Sequence, residues 1–288
     1  MAAFHIWNFP IHRYGIFYLL GFIAAYFFLK YIGKTKLFAD RPKLQNLLET
    51  GVEEIMIYAV IGGILGGRLW QVIIYDLQYY LANPAEIFAI RKWWMAFIGG
   101  ILGTFISFLI LKSRKGLSRT ELFLLLDSII VTVGFWIMLG RIGNFLNQEL
   151  YGILVPVGAR WIGERLTSLL KSIHIFHVYP SVDDALRVNT NFLASFFEGL
   201  GTILITGRIF YKWLKTKKYD AGHIAWIFLT YYSAIRFLLE YMRMDSQSEF
   251  IWPFTTSQRF FIIFFILGRS IMLFKKIARG VKEAQKKS

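Results

Sequence analysis

The stretch at residues 139–152 reads "LGRIGNFLNQELYG". It sets Arg141, Asn144, Asn147 and Glu149 among three glycines at the end of a long apolar run. Other ionisable groups sit inside apolar runs as well. Arg68 lies in "GGILGGRLWQ", Arg236 and Glu240 in "YYSAIRFLLEYMR", and Asp127 near the start of a fourth run. A charge at membrane depth is expensive, so each such residue is a candidate for function. Planar guanidinium forks suit phosphate or phosphodiester oxygens. Arg236 and Glu240 are four apart, share a helix face and can pair. The glycines around Arg68 allow close approach of a second helix or a lipid. Each group also has a structural reading. Arg236–Glu240 can be a purely structural ion pair, and Arg68 and Arg141 can snorkel to headgroups. Asp127 is read as structural, meeting the positive end of its own helix.

The elements that must position these residues follow from composition. The chain has 288 residues, 56% of them hydrophobic. A soluble domain of that length is markedly more polar. Apolar runs of about 20 residues match the hydrocarbon thickness of a bilayer. The sequence therefore predicts an all-α integral membrane protein, a single polytopic domain over residues 1–288. Seven spans are expected: 15–32, 52–75, 94–112, 121–140, 194–212, 222–241 and 258–275. No cleavable signal peptide is evident, so the first span is expected to act as an uncleaved anchor. Internal repeats of the kind seen in secondary transporters are not evident. The chain contains no cysteine, which excludes disulfides, thiolate metal sites and a cysteine nucleophile of its own.

The formal charge is +15. The basic residues cluster at 30–43, 112–119, 208–218 and 275–287, just beyond the first, third, fifth and seventh runs. Anionic lipid and the positive-inside rule account for them, so no nucleic-acid partner is expected. The same pattern places the N-terminus outside and the C-terminus in the cytoplasm. The long connection at 142–193 becomes an exterior region. Within it, "GARWIGERLTSLLKSIHIF" has apolar residues at helical spacing and reads as an amphipathic helix on the outer leaflet. On this topology Arg68, Arg141 and Arg236 approach the same outer face. Three arginines against one carboxylate make a positive pocket within lipid, whose natural ligand is a phospholipid headgroup.

The spacing of the opening stretch resembles the signature of the prolipoprotein diacylglyceryl transferase family, Gly-Arg-x-Gly-Asn-Phe-x-Asn-x-Glu-x-x-Gly. Gly140, Arg141, Gly143, Asn144, Phe145, Asn147, Glu149 and Gly152 match it. "IHRYGIFYLLGF" is similar to the start of the family's first span, with Tyr14 and Gly15 at its Tyr-Gly. "GGILGGRLW" resembles the second span. Tyr232, Arg236, Glu240 and Arg243 match the sixth, and "TTSQRFF" resembles the start of the last. The likeness covers nearly the whole chain. It implies transfer of a diacylglyceryl group from phosphatidylglycerol to the lipobox cysteine of a preprolipoprotein signal peptide, in the bacterial inner membrane, with no metal or organic cofactor. It assigns Arg141 and Arg236 to charge stabilisation on the leaving phosphate. Asn144, Asn147 and Glu149 are expected to bind glycerol hydroxyls or order the outer loop. Tyr14, Arg68, Gly99, Gly100, Gly152, Tyr232 and Glu240 complete the expected substrate site.

The chain departs from the family pattern at two places. Ile98 in "AFIGGILG" stands where the family has histidine, the natural group to deprotonate the thiol. In the segment before span five Pro180 and Ser181 remain, Leu193 and Ala194 stand where Tyr and Glu are expected, and Glu198 and Gly199 match the segment's end. His5, His12, His174 and His177 are substitute bases to consider. A thiol of ordinary pKa about 8.5 can also ionise beside several arginines unaided. Two readings from different classes result: an active transferase, and a non-catalytic relative that binds phospholipid or a lipidated peptide.

Overall fold

The computed structural model describes residues 2–6, 9–88, 97–155, 163–244, 250–251 and 254–285. It is mostly helical. Among the described residues four helical segments are long and apolar enough to cross a membrane: Gly15–Thr35, Val52–Tyr75, Arg119–Leu146 and Thr190–Thr216. They belong to α1 (Arg13–Thr35), α3 (Val52–Trp70), α6 (Arg119–Leu146), and α8 (Thr190–Ala194) with α9 (Gly201–Thr216). The helices α5 (Phe97–Lys115), α10 (His223–Glu240) and α11 (Thr256–Gln285) occupy the other runs read as spans. Residues 94–96, the expected start of the third span, lie outside the described residues. Shorter helices are α2 (Pro42–Thr50), α4 (Leu77–Ala82) and α7 (Glu164–Ser172). Among the described residues there are three hairpins: β1 (Ala2–Ile6) with β2 (Phe9–His12), β3 (Phe176–Val178) with β4 (Leu186–Val188), and β5 (Phe250–Ile251) with β6 (Phe254–Thr255).

The chain forms two compact units, one of residues 1–25 and 126–288 and the other of residues 26–125. The smaller is built on α3 and α5, whose glycines repeat every four residues. A Cβ added at Gly66, Gly99 or Gly103 would overlap backbone across the pair. Bare glycine lets the two backbones meet, which is how apolar helices associate where lipid offers no hydrophobic drive. Ser107 Oγ donates to the Tyr58 carbonyl at 2.7 Å alongside. Gln45 Nε2 donates to the Gly33 carbonyl at 2.7 Å, and Gln45 Oε1 accepts from the Phe38 amide at 3.2 Å. One buried amide thereby holds the turn that joins α1 to α2.

Helix starts follow their capping chemistry. Ser118 and Glu121 form a reciprocal box at the start of α6, at 3.2 and 2.8 Å. Thr255 and Gln258 form another at the start of α11, at 3.1 and 2.9 Å. In the larger unit α6 meets the segment after α8 at Gly134 and Gly199, where an added Cβ would fall 2.8 Å and 2.9 Å, respectively, from backbone atoms opposite. Asp127 departs from the expectation set for it. Its carboxylate does not serve the start of its own helix. It accepts from the amides of Gly222 and Ala225 at 2.6 and 2.8 Å, and so caps α10. The role is structural, but the partner is a helix 95 residues away in sequence, which periodicity within one run cannot show.

Candidate functional site

Where α8 passes into α9 the backbone forms a π-helical turn, Ser195–Leu200. Such a turn carries one residue more per hydrogen-bonded ring than an α-helix and re-aims its side chains. Tyr231 Oη donates to the Phe197 carbonyl at 2.6 Å and satisfies a backbone acceptor of the turn. The residue presented there is Glu198, wholly buried.

Glu198 bridges two arginines. Its Oε2 lies 2.9 Å from Arg141 Nη2, and its Oε1 lies 3.5 Å from Arg236 Nη1. Arg236 Nη2 reaches Glu240 Oε2 at 2.7 Å, and Arg243 Nη1 reaches the same oxygen at 3.1 Å. The five side chains form a ladder in the order Arg141, Glu198, Arg236, Glu240, Arg243. None has more than 13% of its side chain exposed. Counted over these five described side chains, three cations against two anions make one net positive charge held out of water. Burial makes that charge costly unless an anion meets it. Tyr232, also buried, stacks on Phe228 with ring centroids 5.4 Å apart and meets Phe261 edge-on at 6.1 Å. The Arg236 guanidinium lies 6.0 Å from the Phe261 ring centre.

The signature stretch continues past the end of α6. Gln148 and Leu150 have positive φ, 57° and 53°, a conformation that costs non-glycine residues energy. Backbone and side-chain bonds hold the turn in place. The Glu149 amide donates to the Asn144 carbonyl at 3.0 Å, Asn191 Nδ2 to the Glu149 carbonyl at 2.7 Å, and Thr190 Oγ1 to the Leu150 carbonyl. Gly152 donates to the Val188 carbonyl at 3.0 Å and pairs with Arg243 in an isolated bridge. A Cβ there would strike the Val188 and Met242 carbonyls, so three backbone segments converge where only glycine fits. The Glu149 side chain is exposed, whereas Asn144 is buried. The side-chain oxygens of Asn144, Asn147 and Asn191 make no hydrogen bond among the described residues.

Arg187 secures this region from β4. Its Nε and Nη2 grip Asp183, its Nη1 donates to the Gly152 carbonyl at 3.3 Å, and its guanidinium lies 4.9 Å from the Tyr151 ring centre. The guanidinium holds the Asp183 carboxyl below its ordinary range. Tyr179, fully buried, donates to Asn189 Oδ1 at 3.0 Å, and burial pushes its phenol up to about 12. Asn189 Oδ1 also accepts from Phe192 N at 3.0 Å and so caps α8. His177 packs on Phe145 and Tyr179. Burial first, then the charges of His174 and Lys171, lower its pKa.

Of the residues singled out in the sequence, Arg141, Asn144, Asn147, Glu149, Gly152, Tyr232, Arg236 and Glu240 lie in the larger unit and are joined as described. Arg68, Gly99 and Gly100 lie in the smaller unit. There the Arg68 guanidinium donates to the carbonyls of Ile87 and Glu86 at 3.0 and 2.6 Å and lies over the Tyr80 ring. It organises the 3-10 turn at Pro84–Phe88. Gly99 is taken up by packing on Gly66 and Trp70, whereas Gly100 is looser, its added Cβ falling 3.5 Å from the Gly63 carbonyl. Ile98, in the histidine's place, is buried. Tyr14 lies in the first turn of α1, and its side chain is outside the described residues, as are those of His5 and His12.

Sequence reasoning did not place Glu198, Asn191 or Arg187 in the site, and quoted Arg243 without a role. For Glu198 a signal existed, since it is a lone carboxylate in the apolar run "FLASFFEGLGTILITG". Asn191 and Arg187 carried no such mark.

A helical, apolar fold with a buried arginine–carboxylate ladder defines an integral membrane protein built around a concealed cationic site. The chain belongs to the prolipoprotein diacylglyceryl transferase family, whose profile matches residues 1–274. It is similar to proteins named phosphatidylglycerol–prolipoprotein diacylglyceryl transferase. One, from the Wolbachia of Brugia malayi, is 32% identical over 275 residues, covering 94% of this chain and 93% of the relative. Another, from Geobacter sulfurreducens, is 30% identical over 267 residues, covering 92% and 91%. A third, from Bordetella parapertussis, is 31% identical over 242 residues, covering 84% and 81%. The family is one of transferases.

Proposed function

We propose that this protein moves the diacylglyceryl group of phosphatidylglycerol onto the lipobox cysteine thiol of a preprolipoprotein. The sulfur attacks the glyceryl carbon that carries the phosphate ester. A C–S thioether bond forms as the C–O bond breaks, glycerol phosphate leaves with the bonding pair, and the thiol proton passes to solvent or a base. The phosphodiester starts with one negative charge and approaches two as it becomes a monoester. A fixed cationic site binds the second state better than the first, which is the condition for lowering a barrier.

The observation that carries this reading is the buried ladder through Arg141, Glu198 and Arg236. Glu198 and Glu240 hold Arg141 and Arg236 in place while leaving a net positive charge for the phosphate. Arg141 and Arg236 are the catalytic residues of this proposal, and Glu198, Glu240 and Arg243 are positioning residues. Asn144 and Asn147 offer acceptors to the glycerol hydroxyls, and Gly152 shapes the turn that presents them. Glu149 acts through its backbone, which ties Asn144 to Asn191. Tyr232 walls the ladder. Arg68 is proposed to meet a lipid headgroup while bracing the turn at Pro84–Phe88, Gly100 to face lipid within the smaller unit, Tyr14 to face lipid within the larger, and Gly99 to serve the site only by its packing.

The setting proposed is a multi-pass protein of the bacterial inner membrane with seven spans, the N-terminus outside and the C-terminus in the cytoplasm. The α7 helix carries exposed Leu166 and Leu169, which supports its lying on the outer leaflet. Residues 158–162 of the same amphipathic stretch lie outside the described residues.

The test is transfer of labelled diacylglyceryl from phosphatidylglycerol to a lipobox peptide, together with complementation of a strain depleted of its own transferase. Transfer and growth are expected. Lipid binding without transfer would favour the second reading, a phospholipid-binding relative, which Ile98 motivates.

A further inference from the structure

Asn191 sits in the first turn of α8 and is 1% exposed. Its Nδ2 donates to the Glu149 carbonyl at 2.7 Å. That bond fixes the orientation of the amide, because a flipped amide would set two oxygens against each other. Its Oδ1 is therefore the end that makes no hydrogen bond among the described residues. Buried polar atoms without a partner are rare in folded proteins and call for a specific explanation.

Its neighbour in the bonding pattern is Asn144, 4% exposed, whose Oδ1 is in the same state. One peptide unit joins the two. Glu149 donates its amide to the Asn144 carbonyl at 3.0 Å and accepts from Asn191 on its own carbonyl. Each residue also shares an element with a member of the ladder. Asn144 follows Arg141 by three residues on α6, which puts both on one face. Asn191 precedes Glu198 by seven residues, two turns along the segment that runs from α8 into the π-helical turn. Two elements thus each supply one charged group of the ladder and one carboxamide with an open acceptor.

We propose that Asn191 reads the lipid headgroup: its Oδ1 accepts a hydrogen bond from a headgroup hydroxyl of phosphatidylglycerol while the ladder holds the phosphate. The proposal rests on the transferase function above. An amide oxygen only accepts, so its partner must donate. A glycerol headgroup brings two hydroxyl donors and no charge. An ammonium headgroup also donates, but it brings a cation beside a site that is already net positive, which disfavours it. A residue that pairs with a substrate hydroxyl rejects the analogue lacking it, because the acceptor is then left buried and unpaired.

The experiment compares transfer from phosphatidylglycerol and from phosphatidylmethanol with the same acyl chains. Both are phosphodiesters of equal charge, and only the first has headgroup hydroxyls. The full chain is assayed in bilayer discs as wild type, Asn191→Ala and Asn191→Gln, and the readout is the ratio of kcat/KM for the two lipids. Wild type is expected to prefer phosphatidylglycerol. Asn191→Ala is expected to narrow that preference about fivefold, the worth of one neutral hydrogen bond. Loss of the clamp on Glu149 also loosens Asn144, so the ratio is measured for Asn191→Ala in an Asn144→Ala background as well, where a direct role for Asn191 is expected to narrow it further and an indirect one to leave it unchanged. Asn191→Gln retains an amide, so it guards against loss of the fold in Asn191→Ala. Its acceptor is displaced by one methylene, and it is expected to narrow the ratio as well. A ratio unchanged in a variant that folds overturns the proposal and leaves Asn191 as a brace whose oxygen meets water. Wild type that transfers from neither lipid overturns the transferase reading, a separate result, and this proposal with it.

Discussion

At the residue scale, the site depends on the shape of guanidinium as well as its charge. Arg141 donates from Nη2 to Glu198 at 2.9 Å, and the planar fork of a guanidinium can hold a carboxylate and a phosphate in one plane. Lysine offers a point charge on a flexible stem and cannot hold both partners in one plane. Arg141→Lys is therefore expected to lose transfer nearly as fully as Arg141→Ala, by about 10²–10³-fold, the range for removing one preorganised donor. Initial rates at saturating lipid check this, and a lysine variant within a few-fold of wild type would show that charge alone suffices. Ile98 poses the complementary question. If arginines alone favour the thiolate, the wild-type rate rises with pH until the substrate thiol is ionised. Ile98→His adds a titratable group, and if it serves as base the gain is greatest near pH 7, where thiolate is scarce. General-base catalysis is worth about 10²–10⁴-fold. No gain at any pH would mean that the site works without a base at this position.

At the scale of elements, the α3–α5 pair separates two adjacent glycines that look alike in sequence. Gly99 faces Gly66 and Trp70 with no room for a methyl group, whereas Gly100 has ordinary contact distance to Gly63. Gly99→Ala is expected to destabilise the protein by about 1–3 kcal/mol through overpacking. Gly100→Ala is expected to be neutral or slightly stabilising, because alanine favours helix. Thermal melts in detergent distinguish them, and equal melting temperatures would contradict the close approach. The hairpin of β3 and β4 carries a pH dependence. His177 is held below its ordinary value of 6.5 by burial and by nearby charge. Between the folded value and about 6.5 the unfolded chain binds more protons than the folded one. Stability is therefore full above pH 6.5, falls as pH drops toward the folded value, and levels off below it. Protection factors across residues 176–188, taken relative to the exchange rate of an unstructured peptide at each pH, are expected to fall on acidification from pH 7, and His177→Gln is expected to remove the part of that change due to this ring.

At the scale of the whole molecule, the four basic clusters after alternate apolar runs set the expected orientation. An alkaline phosphatase fusion after Ser288 is expected to be inactive and a fluorescent protein fusion at the same point bright. A fully active phosphatase there would invert the topology and put the 142–193 connection in the cytoplasm, away from secreted substrates.

Several features were legible without coordinates. Composition and long apolar runs announced a membrane protein, because the bilayer demands contiguous apolar length and internally satisfied backbone. The match of the signature at 140–152 pointed to the family. Arg236 and Glu240, four apart, were legible as a pair because helical periodicity is local. The tertiary structure alone decided the partners that come from elsewhere in the chain. It put Glu198, 57 residues from Arg141, between Arg141 and Arg236. It sent Asp127 to cap α10, set Arg68 on carbonyls of the 3-10 turn at Pro84–Phe88, and closed Gly99 against Trp70. Sequence spacing specifies which face of a helix a side chain shares, but not which other helix that face will meet. That choice is made by packing, through small residues such as Gly134 and Gly199 that let particular backbones approach.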